Sequence, residues 1–289
     1  MQDYLAGLND RQREAVLHKD GPIMIVAGAG SGKTKVLTTR IIHLMAAHRV
    51  DAFNILALTF TNKAAKEMKE RVEKILGNGE ARNLYIGTFH SVFARILRFE
   101  AEKIGYPRNF TIYDTDDAKS VVKAVVNEMN LDDKLYKPNQ VYNRISSAKN
   151  ALVGPAEYRN DYGLQQEDMR ANRPAIGQIY DTYVKRCFKN GAMDFDDLLL
   201  KFYELLKNVP ESLSKYQHKF KYILIDHRGS QQLSDLPLLL QFTKDKIGKT
   251  QSEGREQDIK IIKGPAEYGN QLQVFIQHQH AESEQTELP

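Results

Sequence analysis

The chain has no tryptophan and a single cysteine, Cys187, among its 289 residues. One cysteine excludes an internal disulfide, which fits a reducing, cytoplasmic compartment. No apolar run approaches the roughly 20 residues that span a bilayer, so no membrane association is expected. The opening residues, Met1-Gln2-Asp3-Tyr4, lack the basic-then-apolar pattern of a secretory signal. Nor is there a strong excess of charge of one sign. Net charge is +4, and residues 243–289 carry 6 basic and 8 acidic side chains, which leaves +6 for residues 1–242. That balance permits a nucleic-acid partner without demanding one. Hydrophobic content of 42% is ordinary for a globular chain, and the length suits one large or two modest domains.

Against these absences, Ala27-Gly28-Ala29-Gly30-Ser31-Gly32-Lys33-Thr34 carries a definite chemistry. An apolar run, Pro22-Ile23-Met24-Ile25-Val26, precedes it and reads as a buried strand. Val36, Leu37, Ile41, Ile42 and Met45 follow at helical spacing. Strand, glycine loop and helix together make a phosphate cradle. Glycines let successive backbone N–H groups turn toward phosphate oxygens, and the helix N-terminus adds partial positive charge. Lys33 would reach the β- and γ-phosphates and the Thr34 hydroxyl would ligate Mg²⁺. A nucleoside triphosphate is the expected ligand. Ala27 stands where such loops usually begin with glycine.

Strand and helix patterns alternate along much of the chain. Asn54–Thr59, Leu84–Gly87, Phe110–Tyr113 and Tyr222–Ile225 read as strands, the last ending on Asp226. Ala64–Leu76 and His90–Ile104 read as helices. Alternation of this kind predicts an α/β fold, a parallel sheet with helices on both faces. From Asp114 to about Lys207 the pattern is helical alone, with Thr115 a plausible cap and Pro138, Gly154-Pro155 and Pro174 as punctuation. This region reads as an all-helical subdomain inserted into the α/β domain. Residues 243–289 are polar, with a strand-like Ile259–Ile262, a short helix expected over Glu267–Gln277, and a disordered end. His278 and His280 lack a third ligand and read as a solvated tail.

Further motifs stand in order around the loop. They are Leu8-Asn9-Asp10-Arg11-Gln12, Ala57-Leu58-Thr59-Phe60-Thr61-Asn62-Lys63-Ala64-Ala65, Gly87-Thr88-Phe89-His90-Ser91, and Ala192-Met193-Asp194-Phe195-Asp196-Asp197-Leu198-Leu199. Together they closely resemble the N-terminal half of superfamily 1 DNA helicases of the UvrD/Rep/PcrA type, over residues 4 to about 226. The resemblance implies a P-loop NTPase of RecA-like fold. Residues 1–113 with 192–242 would form the ATP-binding domain 1A, and 114–191 the helical subdomain 1B. Residues 243–289 would be a polar tail, a remnant of a second RecA-like domain.

The resemblance also implies roles. Gln12, with one amide donor and acceptor pair, would read an adenine edge, although by itself it reads equally as a solvated helix residue. Lys35 stands where the family usually carries an arginine against the base, and it has no planar face to stack. Thr59, Phe60, Thr61 and Asn62 would meet single-stranded DNA at the carboxyl end of a strand, Phe60 stacking on a base unless it is a core residue. Thr88, His90 and Ser91 would donate to backbone phosphates. Lys63, Lys66 and Lys69 read as a solvated charged face. Asp194, Asp196 and Asp197 could hold a metal but more simply cap a helix.

One motif departs from the family. Where its members continue Asp-Glu-x-Gln-Asp, this chain runs Asp226-His227-Arg228-Gly229-Ser230. Asp226 would still hold Mg²⁺ through water, but the glutamate that activates the attacking water is His227. The stretch after residue 242 is also too short for the second α/β domain that carries arginine fingers. A general base typically contributes 10²–10⁴ in rate and an arginine finger about 10³–10⁵. The family's ATP-driven 3′→5′ translocation is therefore expected to be slow or lost in this chain alone, unless a partner protein supplies the second domain. A non-catalytic module binding ATP and single-stranded DNA, a truncated gene product and a P-loop kinase are the alternatives, the last leaving the other motifs unexplained.

Overall fold

The computed structural model describes residues 4–18, 23–26, 31–77, 79, 81–226, 260–263 and 272–277. By its internal contacts the chain divides into two compact units, residues 1–92 with 214–289, and residues 93–213.

The first unit opens with helix α1 (Asp10–Leu17), capped by Asn9, and strand β1 (Ile23–Val26). Helix α2 (Lys33–Ala46) follows, then strand β2 (Ile55–Thr59), helix α3 (Asn62–Leu76) and strand β3 (Tyr85–Thr88). Thr61 caps α3, and Gly77 ends it at a φ of 93°. Helix α2 is buried almost throughout from Val36 to Met45. A helix covered on nearly every side belongs inside a core rather than on a surface, and its buried polar side chains Thr38 and Arg40 donate to backbone carbonyls. Helix α4 (Phe89–Glu100) then carries the chain into the second unit.

That unit contains strand β4 (Thr111–Tyr113) and the helices α5 (Thr115–Glu128), α6 (Pro138–Asn150), α7 (Pro155–Asn160), α8 (Tyr162–Arg170) and α9 (Ile176–Lys189). Prolines open α6 and α7, where the missing N–H costs nothing. Strand β5 (Ala192–Asp194) and helix α10 (Phe195–Asn208) complete it. The expected helix-only stretch is thus interrupted. β5 pairs in parallel with β4 as a two-stranded sheet of its own, so the Phe110–Tyr113 strand does not join the main sheet. Asp114, not Thr115, caps α5, because its side chain accepts from the N–H groups of both Asp116 and Asp117. Valines of α5 and the tyrosines of α9, Tyr180 and Tyr183, fill the core of this unit.

Helix α11 (Pro210–Lys219) leads back to strand β6 (Tyr222–Asp226), and strands β7 (Lys260–Lys263) and β8 (Leu272–Gln277) lie further on. The main sheet runs β3-β2-β6-β8-β1-β7, every neighbouring pair parallel except β1–β7. β2 and β6 are buried at every position, the continuous burial of a parallel strand covered on both sides. The expected helix over Glu267–Gln277 is a strand where it is described. Leu-Gln-Val-Phe-Ile-Gln is rich in residues that favour a pleated surface, and it is paired on both sides, by β6 and β1. Tyr222–Asp226 is therefore not the last strand. The Ile259–Ile262 reading corresponds to β7 within one residue. His278, His280 and the expected disordered end fall outside the described residues.

Candidate nucleotide and nucleic-acid site

The carboxyl edge of the sheet gathers most of the residues singled out in the sequence. Parallel strands align their carboxyl ends, and in open α/β sheets that edge is where ligands bind. β1 ends at Val26, level with Gln277 of β8, while Asp226 of β6 is level with Ile276. Residues 27–30 and His227 lie outside the described residues. Gly32 enters α2 at a φ of 81°, a left-handed conformation that favours glycine, and no side chain caps the helix there. The first-turn N–H groups of an uncapped helix are available to an anion. Lys33 and Thr34 occupy that first turn. Lys33 is 8% exposed, and the Thr34 carbonyl accepts from the Thr38 hydroxyl at 2.7 Å.

Residues 4–12 are tied to the loop before α2 and to α2 itself at three points. Asn9 Oδ1 accepts from the Gln12 N–H at 2.8 Å, and Gln12 Oε1 accepts from the Asn9 N–H at 3.1 Å. Gln12 Nε2 then donates to the Ser31 carbonyl at 2.9 Å. These bonds leave one N–H and one lone pair of the amide for a ligand. A Cβ on Gly32 would meet Gln12 Nε2 at 3.0 Å, so the glycine also makes room for this bond. Lys35 Nζ donates to the Gly7 carbonyl at 2.7 Å. Tyr4 Oη and His43 Nδ1 are 3.0 Å apart.

Arg40 anchors the same region from below and was not singled out in the sequence. It is fully buried on α2, and its guanidinium donates to the carbonyls of Ala15 (3.0 Å), Val16 (3.1 Å) and His18, closing the C-terminal end of α1. Burial brings its pKa down to about 10, against a smaller opposing effect from Tyr222. Three carbonyls around one cation offset much of that desolvation.

The expected nucleic-acid residues surround the ends of β2 and β3. Phe60 is 50% exposed, which removes the core reading for it. Thr61 is occupied as the cap of α3, its Oγ1 accepting from the Ala64 N–H at 3.1 Å, and Asn62 is exposed beside it. Thr88 Oγ1 accepts from the Ser91 N–H at 3.3 Å, and Ser91 Oγ donates to the Thr88 carbonyl at 2.9 Å. His90 is half-buried on the first turn of α4. A Cβ on Gly87 would come within 2.5 Å of Ser91 Oγ, so this tight strand-to-helix turn requires glycine. Thr59 differs from its neighbours. At 1% exposure its side chain has no surface to present to DNA. Lys63, Lys66 and Lys69 are exposed, as a solvated face should be.

The aspartate cluster is structural. Asp194 caps α10 in a reciprocal arrangement with Asp197, each side chain accepting from the other's N–H. Lys149, wholly buried, reaches Asp194 at 2.7 Å and Asp197 at 2.8 Å, and Tyr183 donates to Asp194 at 2.6 Å. Burial opposes the Lys149 charge, but the two carboxylates outweigh it and hold its pKa well above the ordinary value. Burial likewise opposes the Asp194 carboxylate, yet Lys149 and Tyr183 keep its pKa below the usual range. Asp197 is pushed up to about 6 by burial and then by Asp194. No group of three metal-ligating side chains occurs among the described residues. No described helix is long and apolar enough to cross a membrane.

A mostly parallel sheet, an uncapped helix following β1 and a buried aspartate at the sheet's carboxyl edge define an α/β protein of the P-loop NTPase class. The sequence model of the UvrD/REP helicase N-terminal domain matches residues 8–235, and the chain belongs to that family. It is 50% identical over 222 residues to the ATP-dependent DNA helicase PcrA of Bacillus subtilis, covering 77% of this chain and 29% of that protein. It is 45% identical over 226 residues to the proteins of the same name from Staphylococcus aureus strain Mu50 and Staphylococcus epidermidis, covering 78% of this chain and 30% of each. The chain thus spans just under a third of the length of these curated relatives.

Proposed function

We propose that this chain is the part of a UvrD-like 3′→5′ DNA helicase that binds Mg·ATP and single-stranded DNA. The observation that carries the reading is the shared sheet edge. The helix bearing Lys33 and Thr34 starts there, and β6 delivers Asp226, 2% exposed, to the same edge two strands from β1. Ala27 to Gly32 wrap the phosphates, Lys33 neutralises the β and γ oxygens, and Gln12 reads adenine with the half of its amide left open. Lys35, held on the Gly7 carbonyl, borders the base.

A hydroxyl from Thr34 and a carboxylate from Asp226 are hard oxygen donors, too few for an all-protein cage and suited to Mg²⁺ that keeps waters and phosphate oxygens. Bound there, the ion screens charge on the phosphates. Phe60 stacks on a base, while Thr61, Asn62, His90 and the Thr88 hydroxyl donate to the strand's phosphates and Ser91 serves the same site by bracing the Thr88 turn. Residues 1–113 with 192–242 act as domain 1A and 114–191 as subdomain 1B. His227, in place of the family's glutamate, leaves turnover low. The remaining groups come from a second α/β domain, in this chain's own continuation or in a partner.

The test is phosphate release from ATP by the purified chain, with and without single-stranded DNA, beside a Lys33→Ala control. The expected outcome is measurable nucleotide binding with slight release, both absent from the control. Equal ATP affinity in the control would remove the site assignment.

A further inference from the structure

Thr59 sits at the last position of β2 with its side chain 1% exposed, and its Oγ1 has no hydrogen-bond partner among the described residues. An orphaned buried hydroxyl costs stability and calls for an explanation. Threonine's preference for strands accounts for the backbone but not for the hydroxyl, since valine would serve as well. Register supplies the missing context. β3 sets Thr88 level with Thr59, and β6 sets Ile225 level with Leu58, so Asp226 stands beside Thr59 on the other side. Residues level on adjacent parallel strands share a face and are separated by roughly 4.8 Å. Thr88, Thr59 and Asp226 therefore form one polar file across the carboxyl edge of the sheet. One end is the Thr88–Ser91 turn. The other is the carboxylate assigned to the metal.

We propose that Thr59 is a positioning residue of the nucleotide site, its hydroxyl donating to the Asp226 carboxylate, or to a water held by it, when Mg·ATP is bound. This rests on the reading of Asp226 given above. It also assigns Thr59 a different task from its neighbour Phe60, whose ring is exposed. Phe60 follows Thr59 directly, so a base stacked on the ring bears on the end of β2. A small displacement of that end moves the Thr59 hydroxyl relative to Asp226. Occupancy of the DNA turn is thereby linked to how well Asp226 is held for the metal, and by reciprocity Mg·ATP changes the affinity for DNA.

The test compares the full chain with Thr59→Val, which keeps the shape and removes the hydroxyl, and Thr59→Ser, which keeps the hydroxyl. Affinity for a fluorescent ATP analogue is measured with Mg²⁺ and with EDTA, each with and without a single-stranded oligonucleotide. Ligand-free thermal midpoints are recorded as well. Thr59→Val should weaken Mg²⁺-dependent binding about tenfold, as loss of one hydrogen bond to a charged group does. It should leave EDTA binding alone and shrink the shift caused by the oligonucleotide. Thr59→Ser should restore both. The ligand-free midpoint of Thr59→Val should equal or exceed that of the parent, because no satisfied bond is lost. Parental Mg²⁺-dependent affinity in Thr59→Val overturns the proposal. So does a lowered ligand-free midpoint that accounts for the loss, or weakened oligonucleotide binding beside intact Mg·ATP binding. A parent chain that binds no Mg·ATP overturns this proposal together with the function above, whereas a binding parent with an unaffected Thr59→Val overturns this one alone.

Discussion

Gln12 Nε2 donates to the Ser31 carbonyl at 2.9 Å, closing a 19-residue separation between α1 and the phosphate loop. Its Oε1 is meanwhile held by the Asn9 N–H at 3.1 Å. The side chain expected to read the base is thus already fixed by the chain itself. Preorganisation of this kind reduces the ordering that ligand binding must oppose. Gln12→Ala should therefore do two things. It should weaken ATP binding about tenfold, through the lost adenine contact and the loosened loop, and it should reduce the preference for ATP over GTP. Competition titrations against a fluorescent nucleotide measure both. Unchanged discrimination would mean that the amide serves the loop only.

Phe60 gives the complementary prediction for DNA. Its ring is half exposed and supports little of the core, so Phe60→Ala should leave the unfolding midpoint nearly unchanged. Base stacking contributes about 1–3 kcal/mol per base, so affinity for a short single-stranded oligonucleotide should fall roughly tenfold or more. Fluorescence anisotropy reads that change. An equal loss of stability would point to a packing role instead.

The strand and the helix on either side of the glycine run were legible in the sequence because their apolar patterns are local, and β1 and α2 stand where those patterns put them. The aspartate cap of α10 was legible for the same reason. Its partner was not, since Lys149 lies 45 residues from Asp194 and carries no local sign that it will be buried. The ties of Gln12 to Ser31 and of Tyr4 to His43 are hidden for the same reason. Burial of Thr59 could not be read either, because β2 is apolar at both faces and shows no alternation to orient its last residue. β8 was missed because its neighbours in sequence are polar. Its pairing with β1 and β6, distant in sequence, decides its conformation.

Lys149 carries the largest expected effect on stability. Removing one member of a wholly buried ion cluster leaves uncompensated charge, and such changes cost about 3–5 kcal/mol. Lys149→Met should destabilise the chain on that scale by urea denaturation. Adding Asp197→Asn should recover part of the loss, because one of the stranded carboxylates is then neutral. Strict additivity of the two changes would contradict the coupling seen in the geometry.

His43 sets an acid limit. Burial first, then the charges of His48 and Arg40, hold its pKa below the ordinary 6.5. The His48 ring stands edge-on at 4.9 Å, and the Tyr4 hydroxyl meets Nδ1 at 3.0 Å. With a lowered native pKa, the unfolded chain binds the proton first as pH falls below about 6.5, so stability decreases from there toward the native pKa and levels off beneath it. At neutral pH the ring is uncharged in both states and the loss is absent. The urea midpoint of the parent should accordingly drop between pH 7 and pH 5.5 by more than that of His43→Gln, which cannot titrate. Because Tyr4 bonds to His43 within the segment that ties α2 to α1, nucleotide affinity of the folded parent should hold constant down to the lowered native pKa, fall only beneath it, and be flatter in the variant. Parallel pH profiles for the two proteins would assign the acid sensitivity to other groups.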